Sequence, residues 1–155
     1  MATTISNATL TVTITEALTL NGYDQGSSNV WTVANCNEAF KRILSCVNGQ
    51  NTTIATFDSN NHDSGSPIDV EDAKYVRVTN LDASESVELA VVGAATLYQV
   101  TLPPYSSHIL ASPSVCMLAE ADTSPSFGTM ADVASLIVRP TGSAVVDIEV
   151  FVASA

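Results

Sequence analysis

The chain has 155 residues, 46% of them hydrophobic, and sets five Lys and Arg against sixteen Asp and Glu for a formal net charge of −11. That length fits one domain able to bury roughly 70% of the surface its unfolded chain exposes, and no apolar run reaches the ~18 residues that a membrane helix needs. So acidic a surface repels phosphate backbones, because nucleic-acid affinity comes from cations that displace condensed counterions; neither nucleic acid nor membrane is an expected partner.

The chain opens on "MATTISNATLTV", with neither a basic leader nor an apolar stretch before a small-residue cleavage site, so no secretory signal is expected, and manufacture or assembly in a cytosol is. Residues 1–8 read as a flexible Thr-rich arm, in which Thr3, Thr4 and Ile5 are candidate partner contacts, and residues 9–155 as one β-sandwich domain. Alternation begins at once: Leu10, Val12 and Ile14 on one face, Thr9, Thr11, Thr13 and Thr15 on the other, the period of a half-buried strand. The same parity would carry Glu16 inward, so a bulge or a strand end is predicted there.

Further strands are predicted at 30–33, 52–57, 75–79, 87–92, 97–102, 107–111 and 134–139. The last segment, with Val146, Ile148, Val150 and Val152 inward and Asp147 and Glu149 outward, should close a sheet. "NEAFKRILSCVNG" is ambiguous. Phe40, Ile43, Leu44 and Val47 suit a helix, yet Asn48-Gly49 is a strong hairpin signal, and the hairpin is preferred. "KYVRVTNLDASESVELAVVG" reads as a hairpin, two strands around a polar turn, Val76 and Val78 facing Val87, Leu89 and Val91, with Tyr75 and Arg77 outward and Arg77 either paired to Glu85 or Glu88 or reaching a partner. Long polar connections at 21–29, 58–72 and 112–132 are the expected contact regions, the last with an apolar patch at 115–118, including Met117, that could form a short helix. The expectation is all-β: a single-domain antiparallel β-sandwich, jelly-roll-like, of about eight to nine strands.

No motif for chemistry stands out. Nucleophilic catalysis needs a base beside a Ser or Cys, and the two histidines sit in unpromising places: His108 between strand residues that point to opposite faces, His62 in a solvated turn. Asp58, Asn60, Asp63 and Asp69 supply oxygen ligands but miss the calcium-loop spacing, with Asp63 where glycine belongs and Asp69 where a bidentate Glu belongs. Cys36, Cys46 and Cys116 match no disulfide or zinc pattern and read as small buried residues. Asn7 and Asn51 match a glycosylation acceptor that matters only in a secreted protein. Trp31 and Tyr23 flank a glycine-containing loop and offer a sugar-stacking platform, although a single Trp at the head of a strand is more often core or interface. No enzyme activity, cofactor or metal is expected.

Three stretches, "FKRILSCVNGQNTTIATF", "DAKYVRVTNLDASESVELAVV" and "YQVTLPPYSSHIL", resemble tailed-phage virion proteins, especially the small decoration or cement proteins on the outside of a capsid. Tyr75, Arg77, Thr79, Asn80, Leu81 and Asp82 carry the first part of the pattern, and Leu102, Pro103, Pro104 and Ile109 the second. About half the chain, 40–110, is covered. Where such proteins often have glycine in the later turn, Pro104 and Tyr105 stand. The resemblance implies a jelly-roll-like sandwich, a homotrimer, a virion location, and the major capsid protein or other virion subunits as partners; it carries over no catalytic residue. With it, Trp31, Arg77, Tyr105 and Met117 join the arm residues as candidate contacts. A tail or fibre component falls in the same class, a carbohydrate-binding module is the main alternative, and a small hydrolase using His108 ranks last.

Overall fold

The structure, a computed structural model, describes residues 6–60, 67–119, 124–125 and 127–155. Among these residues the chain is all-β with no helix. Its strands in order are β1 (Ala8–Glu16), β2 (Thr19–Leu20), β3 (Tyr23–Asp24), β4 (Ser27–Cys36), β5 (Glu38–Cys46), β6 (Thr52–Asp58), β7 (Ile68–Asp69), β8 (Ala73–Asn80), β9 (Val87–Gly93), β10 (Leu97–Leu102), β11 (Ser107–Leu110), β12 (Val133–Pro140) and β13 (Val146–Ser154). Nine of them build a sandwich from a five-stranded sheet, β10-β9-β12-β6-β7, and a four-stranded sheet, β11-β8-β13-β5. Every pairing is antiparallel except the short parallel contact of β6 with β7.

Alternation explains the core. Val76 and Val78 of β8 and Ile148, Val150 and Val152 of β13 point inward from one sheet, Leu89 and Val91 of β9 and Leu136 and Val138 of β12 from the other, and all are essentially buried. β-branched residues suit both the extended backbone and the close layer spacing. Each fully buried Val, Leu or Ile contributes on the order of 1.5–3 kcal/mol relative to exposure. The strand expected to close a sheet, β13, lies in the middle of one, between β8 and β5.

Two predicted hairpins are not hairpins. Residues 38–46 are a strand, as preferred over the helix, but β5 pairs with β13 while β6 pairs with β12. Residues 47–51, with Gly49 at φ 71°, therefore arch from one sheet to the other. The stretch from Lys74 to Gly93 behaves likewise: β8 pairs with β11 and β13, β9 with β10 and β12. Turn residues dictate that the chain reverses; with apolar side chains to bury on both strands, the reversal stacks them face to face instead of edge to edge. The predicted facing of Val76 and Val78 toward Val87, Leu89 and Val91 is that stacking. Repeated crossing between layers gives the jelly-roll-like path, and within the two main sheets only β9 and β10 form a hairpin between chain neighbours.

The patch at 115–118 forms no helix. Val115 has φ 50°, and Met117 makes an isolated antiparallel bridge to Ala131. Four strands lie outside the sandwich: β1 pairs only with β4 and β2 only with β3, giving a two-stranded ribbon with a small hairpin at its far end. β1 does end at Glu16, as the parity of its residues required.

Candidate functional site

Two surfaces have features that folding alone does not require: the outer face of the four-stranded sheet, and the ribbon lying against part of it. Tyr75, Arg77 and Thr79 of β8 and Glu149 and Phe151 of β13 project from that outer face. The Tyr75 ring meets Phe151 edge-on at 6.0 Å between centroids and Trp31 of the ribbon at 5.4 Å. Trp31 thus fastens the ribbon to the sheet, and its ring contact is with Tyr75, not with Tyr23. Burial pushes the Tyr75 phenol above its ordinary pKa against the lowering influence of Arg77, which leaves the ring a neutral packing element.

Beside the aromatics, Arg77 pairs with Glu149, not with Glu85 or Glu88 as the sequence pointed to. Glu88 follows β8 across an arch, whereas Glu149 is one strand over in the same sheet. The other Arg77 nitrogen donates to Thr79 Oγ1 at 2.6 Å, and Thr79 shares a 2.8 Å hydrogen bond with Ser107. Lys41 Nζ reaches the second Glu149 oxygen at 3.2 Å. Burial drives the Glu149 carboxyl upward, but hydrogen bonds and charge from Lys41 and Arg77 outweigh it and hold the group below its usual range. A groove of about 430 Å³ runs between the ribbon and this face, lined by 10–14 of β1 and by Lys41, Tyr75, Arg77, Ile109 and Phe151.

The ribbon's burial fades along its length. Leu10 pairs with Val33, and Val12 with Trp31, so these four share the face turned to the sheet; Val33 is buried and Leu10 and Val12 half-buried. From Thr13 to Gln25 every residue is exposed. Ile14, Leu18, Leu20 and Tyr23 stand in water at the far end. Gly26 secures the base of this tip: its backbone lies so close to the Glu16 carbonyl that a Cβ would collide with it.

Of the residues that carry the resemblance, Asn80 and Asp82 build a joint with the carbonyls of Leu102 and Pro103. Asn80 is fully buried, and its Nδ2 donates to the carbonyls of Glu85 at 2.8 Å, Leu102 at 3.1 Å and Pro103 at 3.2 Å. Its Oδ1 accepts from the Asp82 amide at 3.0 Å. Asp82 in turn accepts from the amides of Glu85 and Ser84, which lower its pKa in that order. "TNLD" is thus the clamp of the β8–β9 arch. The turn it braces carries Tyr105 at φ 59° and 70% exposed. A non-glycine residue in the left-handed region costs on the order of 1 kcal/mol, and here it holds an aromatic ring in solvent.

The remaining candidates separate. Thr3, Thr4, Ile5, His62 and Asp63 lie outside the described residues. Met117 is 6% exposed and belongs to the core, so it has no surface to offer a partner. His108 Nε2 and Tyr98 Oη share a 3.1 Å hydrogen bond that ties edge strand β11 to edge strand β10 across the two sheets. Burial lowers the His108 pKa and raises those of Tyr98 and Cys116. A neutral histidine and a protonated thiol at a seam are poor nucleophilic chemistry. All three cysteines are free, with Cys46 buried and the other two half-buried. Asp58 and Asp69 spend a carboxylate oxygen each on backbone amides, at 3.0 Å from Asn60 and 2.9 Å from Glu71. Among the described residues no three His, Cys, Asp or Glu cluster in a way that could hold a metal ion. The outer face of the other sheet carries a depression of about 270 Å³ floored by Ala90, Val92 and Ile137, below the usual 300–1,000 Å³ of ligand pockets, and no aromatic ring lines it.

Fold and surfaces together describe a β-sandwich with a projecting ribbon and an aromatic-and-ionic outer face. No protein-family model matches the sequence, and no curated protein matches it significantly.

Proposed function

We propose that the protein is a virion structural protein, a decoration or cement protein that binds the outside of a tailed-phage capsid and stabilises it through protein–protein contacts, with the major capsid protein as its partner. The observation that carries the reading is the ribbon end, where Ile14, Leu18, Leu20 and Tyr23 face solvent. Exposed apolar residues gathered on one projecting element mark a contact surface, and an isolated two-stranded ribbon is only marginally stable in water. The acidic surface, −11 in formal charge, keeps single copies apart before they meet a shell. The sequence resemblance over 40–110 points the same way and supplies the phage assignment. A tail or fibre station is a variant of the same proposal.

The test is co-sedimentation of the purified chain with mature capsids, tails and whole particles of a phage that encodes it. Saturable binding to capsids is expected, with occupancy reduced at least tenfold by Leu20→Ser with Tyr23→Ser. Saturable binding to tails alone moves the station but keeps the class. A chain left in the supernatant in every case, whose Trp31 fluorescence responds to glycans instead, replaces this reading with the carbohydrate-binding one.

A further inference from the structure

We infer that Asn21-Gly22, at the tip of the ribbon, is a site of spontaneous covalent modification: the Asn21 side-chain amide is lost as ammonia through a cyclic imide, while the same dipeptide at Asn48-Gly49 is kept intact by the fold. The inference stands independently of the capsid reading, since it concerns a reaction of the chain with water and involves no partner.

The chemistry needs nothing beyond the chain and solvent. The Gly22 backbone nitrogen gives up its proton to water and bonds to Asn21 Cγ; the Cγ–Nδ2 bond breaks, and the amide nitrogen takes up a proton and leaves as ammonia. Water then adds to one or other carbonyl of the imide. Opening on one side gives aspartate, on the other isoaspartate, and no atom is oxidised or reduced. Glycine as the following residue favours the attack because no side chain shields its nitrogen.

Space does not tell the two sites apart. Asn21, Gly22, Asn48 and Gly49 are all exposed, and a Cβ placed on either glycine would meet nothing within 4 Å. The difference lies in what holds each turn shut. Ring closure requires a rotation of the Asn backbone that carries the next nitrogen onto the side chain, and a closed turn fixes that torsion. The reaction therefore follows the population of the open turn.

At the tip, little opposes opening. Asn21 and Gly22, at φ 51° and 82°, are the two-residue loop between β2 and β3, with the φ signs of a type I′ turn. Thr19 with Asp24 and Leu20 with Tyr23 are the pairs that close it. Neither strand pairs with any other, and every residue from Thr13 to Gln25 is exposed. The Gln25 amide donates to the Leu18 carbonyl at 2.8 Å, which ties the base of the hairpin and leaves its loop unbraced. A hairpin of that size has no core of its own and is marginal in water.

At 48–49 the same dipeptide sits between the layers of the sandwich. The Gln50 amide closes the turn on the Val47 carbonyl at 3.2 Å, and the Gly49 amide itself donates to the Pro140 carbonyl at 3.5 Å. On either side the chain is laddered, Cys46 to Val146 and Thr52 to Val138, with Cys46 and Ile54 almost wholly buried. Opening there works against the sandwich.

The product changes the tip. Either acid adds a negative charge to a chain already at −11. Isoaspartate also routes the main chain through Cβ, so the loop is lengthened and β2 and β3 lose the turn that joins them.

The test incubates the wild-type chain in mildly alkaline buffer, folded and in parallel unfolded in guanidinium, and follows both by peptide mass mapping with enzymatic methyl labelling of isoaspartate. In the folded protein Asn21 is expected to convert about tenfold faster than Asn48; in the unfolded chain the two should convert at like rates. Asn21→Gln is expected to remove the fast conversion and leave the slow one at Asn48 as it was. Folded-state rates that are equal, or faster at Asn48, overturn the inference. So does an Asn21 that stays intact in the folded protein while the unfolded chain is consumed. A preference for Asn21 that persists in guanidinium also overturns it, because the cause would then be sequence neighbours and not the fold.

Discussion

The sandwich and the ribbon are written in the same alphabet. β13 reads V-D-I-E-V-F-V and β1 reads A-T-L-T-V-T-I-T, both alternating with period two and both rich in β-branched residues. In β13 the inward set of Val146, Ile148, Val150 and Val152 is fully buried, because β12 and β9 lie across the core to meet it. In β1 the equivalent set of Leu10, Val12 and Ile14 passes from half-buried to exposed. Period two says which residues share a face; a second layer is needed to make that face a core. Where the layer runs out, the same pattern becomes a surface for another molecule.

Breaking the comparison at its strongest point means truncating one residue of each kind. Ile148→Ala removes a fully buried side chain at the centre of the four-stranded sheet and is expected to cost about 2–5 kcal/mol, read as a fall in urea midpoint. Leu20→Ala on the ribbon is expected to change stability by less than about 0.5 kcal/mol while reducing binding. Equal losses from the two would mean that the ribbon is part of the folding core and not a contact element.

A second experiment sharpens the line between scaffold and surface. Asn80→Ala deletes the clamp on three carbonyls and one amide in a fully buried site. Leaving buried polar groups without partners costs about 1–3 kcal/mol each at most, and some will find water, so a loss of about 2–4 kcal/mol is expected. Circular dichroism on thermal unfolding checks it. A near-neutral result would make the arch self-supporting and leave the "TNLD" residues free for some other role.

The smallest effect is the dependence on pH. His108 has its pKa lowered below 6.5 by burial, so the unfolded chain binds a proton more readily. The contribution to stability is complete above pH 6.5 and is lost as pH falls through the folded value. Glu149, depressed by Lys41 and Arg77, follows the same sign lower down: its contribution is complete above the ordinary carboxylate range of about 4 and disappears below it. Urea midpoints at pH 7.5, 5.5 and 3 should fall in two stages, the first absent in His108→Gln and the second in Glu149→Gln. A His108→Gln protein with the wild-type profile would place the first stage elsewhere.

Much of the fold was legible. Almost every strand outside the small pieces β2, β3 and β7 falls within a few residues of its predicted position, since side-chain parity is a local property of the extended chain. Pairing partners were not legible: Asn48-Gly49 and the polar turn after Asn80 signal reversals, and nothing local tells a hairpin from an arch. Met117 shows the same limit, apolar in a polar loop and yet drawn into the core by its bridge to Ala131. Arg77 was rightly expected to seek a carboxylate, but its partner 72 residues away is found only when β13 is laid beside β8. For the ribbon, Leu18 and Leu20 already stood beyond the predicted strand end at Glu16, and that was the available hint that they leave the core.

What the residues determined unaided is the extended, alternating backbone, the acidic surface and the valine-rich faces, because φ/ψ preference, charge and parity are set one residue at a time. Which strands lie edge to edge, which carboxylate meets Arg77, and whether Leu20 is sheltered or bare were decided only in three dimensions. Burial and ion pairing depend on what arrives from distant parts of the chain, and no short stretch of sequence contains its own second layer.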